Sequence, residues 1–124
     1  IQSTALRLKL NNIPEPTDKA RNAVQIRSSF TLSENVLANA GKKIVYMQIV
    51  GPNGQTIQTK ANYIFETESG SISYSERKEI DYQNEAIDLT IYYSIKGEDL
   101  SKGAYKVSLY CDGYLIGTDS FSLK

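Results

Sequence analysis

Histidine is missing from this chain, and that absence narrows its chemistry more than any motif that is present. Imidazole is the commonest general base near neutral pH and the commonest metal ligand. Without it no Ser-His-Asp relay can form within the chain, and no G-x-S-x-G accompanies its serines. Cys111 is the single thiol. It has no histidine or helix start nearby in sequence to lower its pKa, so it reads as a small apolar side chain beside a turn. Carboxylates recur at Glu76, Glu79, Asp81, Glu85 and Asp88, interleaved with Arg77 and Lys78. They lack the D-x-D-x-D-G spacing of a calcium loop, and they read as a solvated strand face rather than a metal site or an acid pair. Glu98, Asp99, Asp112 and Asp119 read as turn and edge residues, which discourage strand-to-strand aggregation. There is no phosphate loop and no G-x-G-x-x-G; Gly51 to Gly54 closes on Pro52 as a hairpin turn. No catalytic residue, metal or cofactor is expected.

Tyrosine is the one residue type with chemistry to offer in quantity, nine in all. A rigid ring with a polar tip gains contact area at low entropic cost, which makes exposed tyrosines useful at interfaces. Alternation places Tyr46, Tyr92 and Tyr110 on outward strand faces, and these three form the candidate interaction surface. Tyrosine also simply suits strands, so the count alone does not assign a role.

The rest of the chain must position those rings. Its 124 residues suit one domain, 1–124, and beginning at Ile1 rather than Met it reads as a piece of a longer protein. Apolar residues make up 40% and charged ones 23%, ordinary values for a globular fold. Fourteen basic residues balance fourteen acidic ones. A nucleic-acid binder shows a basic excess or stripe, and neither is visible, so nucleic acid is disfavoured. Zero net charge also permits association. No run of eighteen apolar residues exists, so no membrane span is expected. One cysteine excludes an internal disulfide.

No stretch shows a sustained 3.6-residue period; period two recurs throughout. Leu6, Leu8 and Leu10 alternate with Arg7 and Lys9. Val24, Ile26, Phe30 and Leu32 share one face of Ala23 to Leu32. Lys42 to Val50 is apolar on both faces, the mark of a central or doubly covered strand. Gln55 to Lys60 reads as a short edge strand, Ser71 to Tyr82 as one long exposed strand, either continuous or interrupted near Glu76, and Ala86 to Ile95 as strict alternation. Asn11 to Asn22 is a connection, and Ser33 to Gly41 is either a helical turn or a loop. Seven or eight strands with turn signals between them predict an all-β sandwich. The expected core is Leu6, Leu8, Val24, Ile26, Phe30, Val45, Met47, Ile49, Leu89, Ile91, Tyr105, Val107, Leu109 and Phe121.

The C-terminal stretch is the most explicit. It alternates from Tyr105 to Cys111, turns at Asp112-Gly113, and alternates again. Asp-Gly supplies the positive φ angles of a two-residue hairpin turn. Cys111 then faces Tyr114, and Leu109 faces Ile116. Phe121 and Leu123 sit at the wrong parity from Ile116 for the core, so a β-bulge at or near Gly117 is required.

Lys102-Gly103-Ala104-Tyr105-Lys106-Val107 resembles the opening of strand F in immunoglobulin-like and fibronectin-like domains. There a tyrosine hydroxyl bonds back to the preceding loop, the tyrosine corner. Tyr105 is the matching residue, and Val107 stands where antibody domains carry a disulfide cysteine. The chain has no Trp and no second cysteine, which sets it apart from antibody domains. Gly51 to Ile57 (GPNGQTI) and Tyr110 to Phe121 (YCDGYLIGTDSF) resemble C-terminal β-domains of Bacteroidetes proteins. The resemblance implies an immunoglobulin-like antiparallel β-sandwich and no biochemical activity. The expected function is a non-enzymatic protein-interaction or assembly module of a larger bacterial protein, binding through a tyrosine-bearing sheet face or an exposed edge strand. Its partner would be protein, in the simplest case a second copy, and a carbohydrate-binding module is the alternative.

Overall fold

In the computed structural model the described residues are 1–34, 39–67, 69–95 and 100–124. The Asp112-Gly113 turn takes the conformation its residue types require, with φ of 54° and 81°. It joins β9 (Gly103–Cys111) to β10 (Tyr114–Leu123). Cys111 pairs with Tyr114 and Tyr110 with Leu115, and then the register shifts: Leu109 pairs with Gly117, leaving Ile116 as the bulged residue. Leu109 therefore faces Gly117 rather than Ile116. Beyond the bulge Phe121 pairs with Tyr105, and Leu123 comes to lie 3% exposed in the core.

Ten strands form among the described residues, two or three more than the sequence suggests. Eight build two antiparallel four-stranded sheets. One runs β2 (Pro14–Thr17), β1 (Gln2–Leu8), β3 (Gln25–Leu32), β8 (Ile87–Ser94). The other runs β10, β9, β4 (Gly41–Val50), β7 (Glu76–Tyr82). The remaining two, β5 (Ile64–Thr67) and β6 (Gly70–Ser73), pair only with each other. The chain is an all-β sandwich.

Alternate side chains seal the two sheets. Ile26, Leu89, Ile91 and Tyr93 of the first meet Val45, Met47, Ile49, Val107 and Leu109 of the second in one buried cluster, with Phe30 and Phe121 packed against it. Each fully buried aliphatic side chain contributes about 1.5–3 kcal/mol relative to exposure, so this cluster is the main driving force for the fold. The polar groups inside are matched. The Ser28 hydroxyl bonds that of Ser3 at 2.7 Å, and buried Ser75 accepts from the Ile49 N–H at 2.9 Å. Tyr105 is 2% exposed, its ring stacks on Phe121, and its hydroxyl donates to the Ser101 carbonyl four residues upstream. That is the bond a tyrosine corner makes.

Two expected core residues face water. Leu8 is 49% exposed and Val24 38%. The β1–β3 ladder ends at Leu6 opposite Gln25, so Leu8 projects beyond the sheet, flanked only by Pro14. Val24 precedes β3 at the same end. The inward positions of β1 are instead Ser3 and Ala5, opposite Ser28 and Ile26. Leu6 is fully buried but lies outside the central cluster. Gln55 to Lys60 makes a single bridge, Val50 to Thr56, in place of a strand. Asn11 to Asn22 contains β2 and a 3-10 turn at Ala20–Asn22 as well as connection. Ser71 to Tyr82 breaks at Tyr74-Ser75 into β6 and β7. Of Ser33 to Gly41, residues 35–38 lie outside the described residues, as do Gly97, Glu98 and Asp99.

Candidate interaction surface

The register across the second sheet builds one outward row. Tyr46 on β4 lies opposite Tyr110 on β9 and Arg77 on β7, and Tyr110 lies opposite Leu115 on β10. Directly opposed residues of antiparallel strands share a face, so Leu115, Tyr110, Tyr46 and Arg77 line up across all four strands. Tyr46 sits on the strand that is apolar on both faces. Its inner neighbours Val45 and Met47 serve the core, and its own side chain serves a second cluster outside.

That cluster is formed by the β5–β6 hairpin folding over the sheet. Phe65 stacks on Tyr46 with centroids 4.2 Å apart and planes 4° from parallel. It also meets Tyr110 at 5.3 Å in a tilted arrangement. Tyr74 tilts against Tyr46 at 5.0 Å and stacks on Tyr63 at 5.1 Å. Offset-stacked and tilted rings are the favoured geometries, each adding about 0.5–1.5 kcal/mol to area burial. Polar bonds pin the hairpin: Gln48 Nε2 donates to the Ser73 carbonyl at 3.1 Å, and Gln58 Nε2 to that of Tyr63 at 2.8 Å. Phe65 ends 8% exposed and Tyr74 9%, with Tyr46 and Tyr110 half-buried between them.

Two of the three candidate tyrosines are thus brought together, and the third is not. Tyr92 is 48% exposed on β8, opposite Arg27, on the outer face of the other sheet. The residues that sequence reasoning passed over are Phe65 and Tyr74, which cover the row, and Leu115, which extends it and is 54% exposed. Ile64, on the hairpin, is 51% exposed beside them. A signal was present: aromatic residues at 63, 65 and 74 flank Gly70, whose φ of 114° suits a hairpin turn.

The other chemistry-bearing residues do not converge. Cys111 is fully buried, and burial followed by the neighbouring Asp112 carboxylate pushes its thiol up to about 11. It is protonated and shielded at neutral pH, the state of an inert packing residue. Asp112 itself is held by Lys43 Nζ at 2.8 Å. The acidic residues of β7 and β8 each take a local partner: Glu79 faces Lys42 at 3.9 Å, Asp81 accepts from Gln83 at 2.6 Å, and Asp88 accepts from Thr31 at 2.6 Å. Asp119 accepts from the Ser3 N–H at 2.6 Å, joining β10 to β1 across one side of the sandwich. Among the described residues no three Asp, Glu, Cys or His side chains are grouped to hold a metal, and no helix is long and apolar enough to cross a membrane.

No curated protein and no solved structure matches the chain. A family described as a domain of unknown function (DUF8428) matches residues 1–124, the full sequence, and the chain belongs to that family.

Proposed function

We propose that this domain is a non-enzymatic interaction and assembly module of a larger bacterial protein, and that its contact surface is the outer face of the second sheet. The observation that carries this reading is the row Leu115–Tyr110–Tyr46. It is preorganised from below by the β-ladder and partly covered by Phe65, which leaves Tyr46 and Tyr110 half-buried, and it ends in an exposed leucine. Tyrosine and arginine are the side chains enriched in protein-contact hot spots, and Tyr110, Tyr46 and Arg77 share this row. The lack of histidine and the dispersal of the carboxylates favour binding over catalysis. The Tyr105–Ser101 bond and the two sheet orders support an immunoglobulin-like reading of the sandwich.

A second copy is the simplest partner. Amide spectra of the labelled domain, recorded as its concentration is raised, test this reading. Resonances of Tyr46, Tyr110 and Leu115 are expected to shift together, and Leu115→Lys to abolish the shifts. Spectra independent of concentration would count against it. The carbohydrate-binding alternative gains least from this geometry, because Tyr92 lies on the opposite sheet from Tyr110 and the two rings share no groove. Glycan binding that vanished in Tyr92→Ala would favour that alternative instead.

A further inference from the structure

Zero net charge conceals two poles. The register places the β1–β2 tip, the segment 18–22 and the start of β9 at one end of the sandwich, since the Ala20 N–H donates to the Lys124 carbonyl at 3.0 Å and Leu123 pairs with Gly103. Among the described residues Arg7, Lys9, Lys19, Arg21, Lys102 and Lys124 cluster there against Glu15 and Asp18. Glu15 is already engaged by Arg7 and Lys9, and Asp18 by Lys124. The opposite end holds the start of β4, the β7–β8 turn and the β9–β10 turn, tied by the bond from the Tyr82 hydroxyl to the Ser33 carbonyl. Glu34, Glu79, Asp81, Glu85, Asp88 and Asp112 lie at that end against Lys42 and Lys43. Lys42 pairs with Glu79 and stands opposite Asp81, and Lys43 pairs with Asp112, so among the described residues these six carboxylates share two lysines.

Each pole also exposes apolar surface. Leu8, Leu10 and Ile13 stand on the basic end, with Leu10 at 108% exposure. Ile1 and Tyr114 stand on the acidic end, 38% and 56% exposed. A basic rim around leucines and an acidic rim around a tyrosine and an isoleucine are complementary in both charge and hydrophobicity, and they belong to one chain.

We propose that copies of this domain stack end to end, the Leu8–Ile13 end of one seated on the Tyr114 end of the next. This rests on the self-association reading above but places the contact at the ends rather than on the sheet face. An end-to-end contact is heterologous, so it propagates into rings or filaments rather than closing as a two-fold dimer. Opposed charged ends steer that encounter and weaken as salt shortens the screening length from about 10 Å at 0.1 M to about 3 Å at 1 M.

Light scattering on three forms of the 124-residue chain tests it: wild type, Lys19→Glu/Arg21→Glu and Asp81→Lys/Glu85→Lys. All four positions are exposed, and circular dichroism checks that each form keeps its fold. Wild type is expected to gain mass with concentration at low salt and to return to monomer at high salt. Each double variant is expected to stay monomeric alone, and an equimolar mixture of the two to regain mass, because each supplies the charge the other lacks. Association that persists in both variants, or a mixture that stays monomeric, overturns the stacking. If Leu115→Lys disperses the oligomers and the charge variants do not, the sheet-face reading survives and the stacking falls. If the charge variants disperse them and Leu115→Lys does not, the reverse holds. A wild-type monomer under every condition removes both.

Discussion

Phe65→Ala probes whether the hairpin lid organises the tyrosine row. The ring is 8% exposed and rests on Tyr46 at 4.2 Å, Tyr110 at 5.3 Å and Tyr74 at 6.2 Å. Burying a phenylalanine is worth about 1.5–3 kcal/mol. The ring contacts add about 0.5–1.5 kcal/mol per pair, and truncations of a buried phenylalanine cost about 3–5 kcal/mol. β5 and β6 pair with no other strand, so the hairpin can lift off as a unit, and that escape caps the loss at its docking free energy. The expected loss is therefore about 3 kcal/mol, toward the low end of the truncation range. Urea unfolding followed by tyrosine emission reads it, since the chain has no Trp to mask that signal. Amides of β5 and β6 are expected to exchange faster in the variant while those of β9 hold. Acrylamide quenching of tyrosine is expected to rise as Tyr46 and Tyr110 are uncovered. A loss below about 0.5 kcal/mol, the level of an ordinary surface change, would refute the claim that Phe65 holds the lid.

Gly103→Ala is expected to cost about 2–4 kcal/mol in denaturant unfolding, from a disfavoured backbone angle plus overpacking. Gly103 has φ 134°, and a Cβ there would stand 2.8 Å from Pro52 Cγ. Alkaline titration gives a further test. Cys111 is raised from 9.0 to about 11 in the fold, and burial also raises Tyr105. Above pH 9 the unfolded thiol ionises while the folded one keeps its proton, so the native state binds more protons. Stability is therefore unaffected by this thiol below pH 9 and falls as pH rises from 9 towards 11. Urea midpoints measured across that window check it, and Cys111→Ala is expected to flatten the fall.

The C-terminal hairpin was largely legible because its signals are local; the partner of Leu109 was not, since the bulge falls at Ile116 and gives it Gly117. Asp-Gly dictates the turn, and the parity conflict between Ile116 and Phe121 demands a bulge wherever the chain lies in space. Lys42 to Val50 was legible too: its two apolar faces announced a central position or an outer cover, and the strand has both. β1 misled because Leu6, Leu8 and Leu10 make a cleaner stripe than Ser3 and Ala5. Those small residues face inward because Ser28 offers a hydroxyl partner and Asp119 takes the Ser3 N–H, and both partners are remote in sequence. The aromatic cluster was only half legible. Alternation put Tyr46 and Tyr110 on outward faces, but their cover depends on β5–β6 docking, a contact that periodicity does not encode. The charge poles were invisible to composition, since the balance of fourteen against fourteen says nothing of how the two signs are distributed.

The most direct test of the assembly role is the mass of the unmodified domain in solution as its concentration is raised at low ionic strength. Multi-angle light scattering is expected to show values rising above the 13.8 kDa of a single chain. A mass fixed at that of one chain, up to the highest soluble concentration, would contradict the account.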